Sequence, residues 1–186
     1  MRQIKLLIVL ILINSTCVVA QNLPSRWDEL VASDWPKALE RSAQTCILPI
    51  GILEKHGPHA PIGSDLIHVR EWAARATKKE YAVVFPDYFY GQIYEARHQP
   101  GTFALPSKLI LELLDATCAE IARNGFKKIV IINGHGGKSA IKSSMISAYL
   151  TFRFSSRFYL IVFIFLVSLM SHFNTSKNLL VSTFIK

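Results

Sequence analysis

Three short apolar runs constrain this chain more than anything else in it: Cys46-Ile47-Leu48-Pro49-Ile50, Tyr81–Phe85 (YAVVF) and Ile129–Ile132 (IVII). Each is too short for a helix, and each is stopped at once by Gly51, Pro86 or Asn133-Gly134, as buried strands are. Between them the apolar residues recur with helical period. Ser64 or Asp65 is placed to cap a helix through Lys79, with Leu66, Val69, Trp72, Ala73 and Ala76 on one face. Ser107 caps a second helix to about Asn124, with Ile110, Leu113, Leu114, Thr117, Cys118 and Ile121 inward and Asn124-Gly125 as its stop. A shorter helix over Lys37–Ser42 follows Ser33-Asp34-Trp35-Pro36. Apolar strands joined by helices of this length predict an α/β fold with a parallel sheet covered on both faces.

In such a sheet the loops that leave the strands gather along the carboxyl edge, where ligands bind. The loops in question are 51–65, 86–106 and 133–138, and they carry four of the six histidines: His56, His59, His98 and His135. The densest stretch is Glu54-Lys55-His56-Gly57-Pro58-His59-Ala60-Pro61-Ile62-Gly63-Ser64-Asp65. Glu54 and His56 are two apart, so in extended backbone they point the same way. Two glycines and two prolines then fold the loop tightly enough to return Asp65 to them. His135 joins from the glycine loop after the third strand. Carboxylate oxygens with imidazole nitrogens suit zinc, manganese or iron rather than calcium. Lone loop histidines are usually solvated, so the metal reading rests on the joint pattern, each part placed directly after a buried strand.

The stretch Leu48-Pro-Ile-Gly-Ile-Leu-Glu-Lys-His-Gly-Pro-His-Ala-Pro-Ile-Gly-Ser-Asp65 resembles the first motif of the creatininase (creatinine amidohydrolase) family. Tyr90-Gly91 with His98-Gln-Pro-Gly-Thr102, and Asn133-Gly-His-Gly-Gly137, match further stretches in the same order. The resemblance runs from about Trp27 to Gly137. It implies a three-layer α/β/α sandwich with a mostly parallel sheet, and a dinuclear zinc or manganese site that hydrolyses amide-type C–N bonds of small molecules. It also implies that Glu54, Asp65 and His135 hold one metal and His56 and Asp65 the other, with Asp65 bridging. Homo-oligomers are a further family expectation. Tyr90 and His98 sit where the family's substrate loop lies, and either would serve equally in packing. Gly136 is conformational, or offers its amide to a substrate carbonyl. His59 divides evenly between a place near the metals and an ordinary hydrogen-bonded loop histidine. Lys55 replaces a common glutamine and is expected in solvent.

The chain departs from that pattern at its end. Some members carry a Glu two residues after the histidine, where Gly137 stands here, and Lys138 occupies a usual Asn position. From Ser139 onward there is no Asp, Glu, Gly or Pro, so the second metal site is expected to lack the further carboxylate that completes it in the family. The reading at this stage is a creatininase-type α/β domain over 21–138, incomplete at its C-terminus, followed by an atypical tail over 139–186. Hydrolysis by an incomplete site is one expectation in question; a non-catalytic, membrane-tethered or partner-binding remnant is the alternative. The tail's apolar run Phe158–Met170 has thirteen residues, short of a normal membrane span. It reads as a weak anchor, as an apolar helix on the exposed sheet, or, the favoured expectation, as sequence foreign to the family, from a frameshift or an unspliced reading.

Charge and cysteine usage narrow the class further. Hydrophobic residues make up 51% and charged residues 18%, which excludes a disordered chain. The net charge of +8 lies wholly in the ends: two bases in residues 1–20, six in 138–186, and no acid in either. Thirteen acids balance thirteen bases between them. A neutral body with basic ends is not the one-sided patch that grips phosphates, so nucleic acid is not an expected partner. Arg2 and Lys5, the apolar run Leu6–Ile13 and Val18-Val19-Ala20 have the three parts of a signal peptide cut after Ala20, which predicts a secreted or periplasmic protein. Cys46 and Cys118 then remain, and are read as small buried hydrophobes rather than a disulfide.

Overall fold

The computed structural model describes residues 23–136 and, as backbone, the strand Leu160–Phe165. The expected signal at 1–20 and the rest of the tail lie outside the described residues. Four parallel strands form one sheet in the order β2-β1-β3-β4. These are β1 (Thr45–Ile50), β2 (Val83–Val84), β3 (Lys128–Asn133) and β4 (Leu160–Phe165). Among the described residues, α1 (Trp35–Arg41) precedes β1, α2 (Ser64–Thr77) joins β1 to β2, and α3 (Ser107–Arg123) joins β2 to β3.

Strand alternation builds the layers. Cys46, Leu48, Ile50, Ile129 and Ile131 face Ala38 of α1 and Leu114, Cys118 and Ile121 of α3. Ile47, Val130 and Ile132 face the other way, onto Leu66, Val69, Ala73 and Ala76 of α2. Successive residues of a strand point to opposite faces, so both faces of β1 and β3 are apolar and both are covered. This is the expected α/β/α sandwich. An aromatic group closes the α1–α3 side: Trp27 packs on Trp35, Phe85 and Phe126, and the Trp35 indole donates to the Asn124 carbonyl at 3.1 Å. Cys46 and Cys118 are free thiols in this layer, and burial pushes both up, Cys118 to about 12.

Several boundaries differ from expectation for physical reasons. The second strand keeps only Val83–Val84 of the predicted run; the Phe85 N–H still donates to the Ile47 carbonyl at 2.8 Å, and Pro86, with no N–H, ends the ladder there. On its outer side Val84 N–H donates to the Ser25 carbonyl at 2.7 Å, so the chain's own entry segment covers that edge. Helix α2 begins at Ser64 with Gly63 as its cap, and α3 begins at Ser107 with Pro106 as its cap. Neither serine caps with its side chain. Helix α1 starts at Trp35, and α2 ends at Thr77, short of Lys79. Of the three tail readings, the helix on the exposed sheet is corrected. The centre of the tail's apolar run is β4, paired in parallel with β3 from Lys128↔Leu160 to Asn133↔Phe165, so the segment that meets the exposed sheet is a strand and not a helix. Among the described residues no helix is long and apolar enough to cross a membrane.

Candidate metal centre

The site forms where β1 and β3 end beneath the first turn of α2. A Cβ on Gly51 would stand 2.3 Å from the Leu66 Cα, and one on Gly134 would stand 2.6 Å from the Val69 Cγ1 and 2.7 Å from the Asp65 carbonyl oxygen. Only glycine allows the helix backbone to come this close. The approach carries Asp65 down to the strand ends, where it is 7% exposed. The loop between β1 and α2 is closed by the Glu54 N–H donating to the Ile62 carbonyl at 3.0 Å. On the β3 side the Gly134 N–H extends the ladder to the Ile50 carbonyl at 2.9 Å, and His135 follows at 8% exposed.

Four of the expected residues meet there. His135 Nδ1 lies 3.0 Å from Asp65 Oδ2 and 3.1 Å from Glu54 Oε1. His56 Nε2 lies 3.0 Å from the same Glu54 oxygen and 3.6 Å from Asp65 Oδ1. Asp65 therefore turns one oxygen toward each imidazole. Ligand atoms of Glu54, Asp65 and His135 all fall within 4.8 Å of one another. Donors held at zinc-like bond lengths around one ion sit roughly 3.2–3.6 Å apart, so small side-chain adjustments would let this trio share a cation. The donor chemistry fits as well: nitrogen and carboxylate oxygen, in a pocket where His56 is the most exposed of the four, its side chain 37% exposed against 12% for Glu54.

The electrostatics show what the cage lacks by itself. Burial pushes the Glu54 carboxyl above its usual range, while His135 and His56 draw it down and the charges of Asp65 and Glu95 push it up again. His135 Nε2 is buried with no hydrogen-bond partner among the described residues. Two acids drawn together out of most of the solvent, beside an imidazole with one unpaired nitrogen, are costly without a compensating positive charge.

The other expected site residues are not in this cluster. Tyr90 belongs to an aromatic group, with ring centroids 4.5 Å from Phe89, 5.4 Å from Tyr88 and 6.3 Å from Phe103, so packing is its observed use. His98 is exposed and bonded to Gln99 at 2.8 Å; Gln99 accepts in turn from Lys55 at 3.2 Å. Lys55 thus ties two loops together as well as facing solvent. His59 is exposed beside Gly57, and Gly136 is exposed with open space around its Cα. Three residues were not singled out by spacing. Ser64 places its hydroxyl 3.1 Å from His56 Nδ1, Asn133 holds the His135 backbone, and Glu95 acts on Glu54 through its charge. A polar residue closing a buried strand was a usable signal for Asn133; Glu95 gave none.

Comparison with known proteins agrees with this fold. The family profile described as "Creatininase: Creatinine amidohydrolase" matches residues 29–177, past the Asn133–Gly137 motif and through β4. The 3-dehydro-scyllo-inosose hydrolase of Thermotoga maritima is 33% identical over 98 residues, 51% of this chain and 31% of that protein. The creatinine amidohydrolase of Pseudomonas putida is 30% identical over 101 residues, 50% of this chain and 39% of that protein. The chain thus matches well under half the length of these relatives. A crystal structure of creatininase superposes with a TM-score of 0.64 at 25% identity, covering 77% of this chain and 58% of the other. Solved creatininases that match include a manganese form and a zinc–zinc form.

Proposed function

Because the chain belongs to the creatininase family, we propose that its cluster of Glu54, His56, Asp65 and His135 is the metal centre of an amidohydrolase that cleaves a C–N bond in a small amide. The observation that carries this reading is the trio of half-buried Glu54 with buried Asp65 and His135, one ligand atom of each inside a 4.8 Å span. Those three would hold one zinc or manganese ion. His56, with the second oxygen of Asp65, would face another. A divalent ion in this cage supplies a Lewis acid that polarises an amide carbonyl and acidifies water. The residues supply the rest. Asp65 is fixed by the close approach of α2 to Gly51 and Gly134, so its two oxygens stay divided between the imidazoles. Ser64 Oγ stands 3.1 Å from His56 Nδ1; in the tautomer protonated at Nδ1 it would accept that N–H and leave Nε2 as the ligand atom on the side of Glu54 and Asp65. Gly136 has open space beside its Cα, and its amide is proposed to meet a substrate carbonyl there. Tyr90 and His98 belong to the surrounding loop rather than to the cage, and are proposed only to shape substrate access.

Metal analysis of the full chain tests this. At least about one zinc or manganese per chain is expected, with Glu54→Ala and His135→Ala each weakening binding by at least about 100-fold. Creatinine is the first substrate to assay, because one relative is named for it. Wild-type protein that takes up neither ion would end the metal reading, and metal uptake without turnover of any small amide would leave a binding protein in place of a hydrolase.

A further inference from the structure

Asn133 ends β3 opposite Ile50, and its side chain is buried at 4% exposure. It does not point toward the carboxylates. Instead its Oδ1 accepts from the His135 N–H at 3.2 Å, and its Nδ2 donates to the His135 carbonyl at 2.9 Å. One side chain thus satisfies both backbone polar groups of the residue two places on. We propose that Asn133 is a positioning residue, a two-point clamp that fixes the backbone of His135 and so aims its imidazole at Glu54 and Asp65. The inference rests on the metal-centre reading for its functional meaning.

The physical case follows from what the loop has available. Past Gly134 the strand ladder stops, and His135 is already buried, so its N–H and C=O would be orphaned without a side-chain partner. A buried unpaired amide is costly, and the loop would rotate to find water. Rotation about the His135 backbone swings the Cα–Cβ direction, and the Nδ1 contacts at 3.0 and 3.1 Å would be lost together. Asparagine is suited to the task because its side-chain amide presents an NH2 donor group and a carbonyl acceptor in one plane. Aspartate would set a carboxylate oxygen against the His135 carbonyl, and alanine would leave both groups unpaired. Supports of this kind beneath a metal ligand set its direction and commonly govern affinity by about 10–100-fold.

Three proteins test the clamp: wild type, Asn133→Ala and Trp35→Phe. The last removes the remote indole bond to Asn124 and serves as a control for lost stability alone. In metal-free protein the His135 amide should exchange with solvent slowly, and at least about tenfold faster in Asn133→Ala. Zinc affinity, measured by competition with a chelator, should fall about 10–100-fold in Asn133→Ala and stay within about twofold of wild type in Trp35→Phe. Asn133→Asp should lose affinity too, since it keeps the acceptor but not the donor. An unchanged His135 exchange rate in Asn133→Ala overturns the clamp whether or not metal binds. Wild-type zinc affinity in Asn133→Ala overturns its role in aiming the ligand, as does an equal loss in Trp35→Phe. If wild type itself binds no metal, the proposed function fails separately, and the exchange rate still decides the clamp.

Discussion

At Glu54, burial and the charges of Asp65 and Glu95 disfavour ionisation, and only His135 and His56 oppose them. A carboxyl whose pKa is raised by folding binds its proton more tightly in the folded chain than in the unfolded one. Its contribution to stability is therefore full below the ordinary carboxylate range, and is lost as pH rises through the raised value. At neutral pH the metal-free protein carries this acid at a cost that a bound cation would offset. Glu54→Gln removes the charge and keeps the shape. Metal-free Glu54→Gln should melt above wild type at pH 7, with the difference vanishing near pH 4, while zinc affinity falls by at least about 100-fold. Thermal melts at the two pH values, with and without zinc, check this; an equal gain at both would mean the charge is not the cause. The same residue shows how far sequence reaches. Glu54 and His56 were legible because two-residue spacing after a strand aims both one way. Glu95 was not, because its influence crosses from another loop, and no spacing rule reports that.

Among the elements, α2 does most to make the site, through two glycines that let it touch the strand ends. The contacts a Cβ would meet at Gly51 are backbone atoms of Leu66 and Asp65, which have no room to move aside. Gly51→Ala should cost about 3 kcal/mol or more, the upper end of overpacking penalties, and release Asp65 from the cage. Gly136→Ala meets nothing within 4 Å, and should change stability by less than about 0.5 kcal/mol. Urea unfolding of both variants separates a packing glycine from an open one; equal losses would deny the close approach. Periodicity made the elements legible, since every apolar position it assigned to α2 is buried except the partly buried Trp72. The caps were misread because Ser64 and Asp65 look like capping residues, yet their side chains are turned to His56 and His135 instead. Tyr90 illustrates the same limit. An aromatic residue in a loop reads alike whether it meets a substrate or its neighbours.

For the whole molecule, the question is what closes the sheet beyond β3. Its central strand pair, β1 and β3, is matched over six residues, and β3 is matched over six more by β4. On the other side β2 is short, and Ser25–Arg26 lies along it. The tail's composition suggested foreign sequence, because a run without Asp, Glu, Gly or Pro looks unlike the α/β pattern before it. Strands of a parallel sheet are commonly near-continuous apolar runs, so composition could not distinguish the two. The pairing with β3 and the family match through residue 177 give that run a place in the fold. Deleting residues 160–165 would leave the apolar edge of β3 with unpaired N–H and C=O groups, a template for association with other chains. The deletion variant should lose soluble yield and scatter light at concentrations where wild type does not. In its soluble fraction, those β3 amides among Ile129–Ile132 that bond to β4 should exchange at least about tenfold faster, while β1 amides bonded to β2 stay protected. Unchanged protection along β3 would show that β4 does not pair there in solution. The metal centre also sits at the end of β3, so a loosened edge should weaken zinc binding in the same variant. Loss of protection without any loss of zinc affinity would mean that α2 and β1 hold the cage on their own.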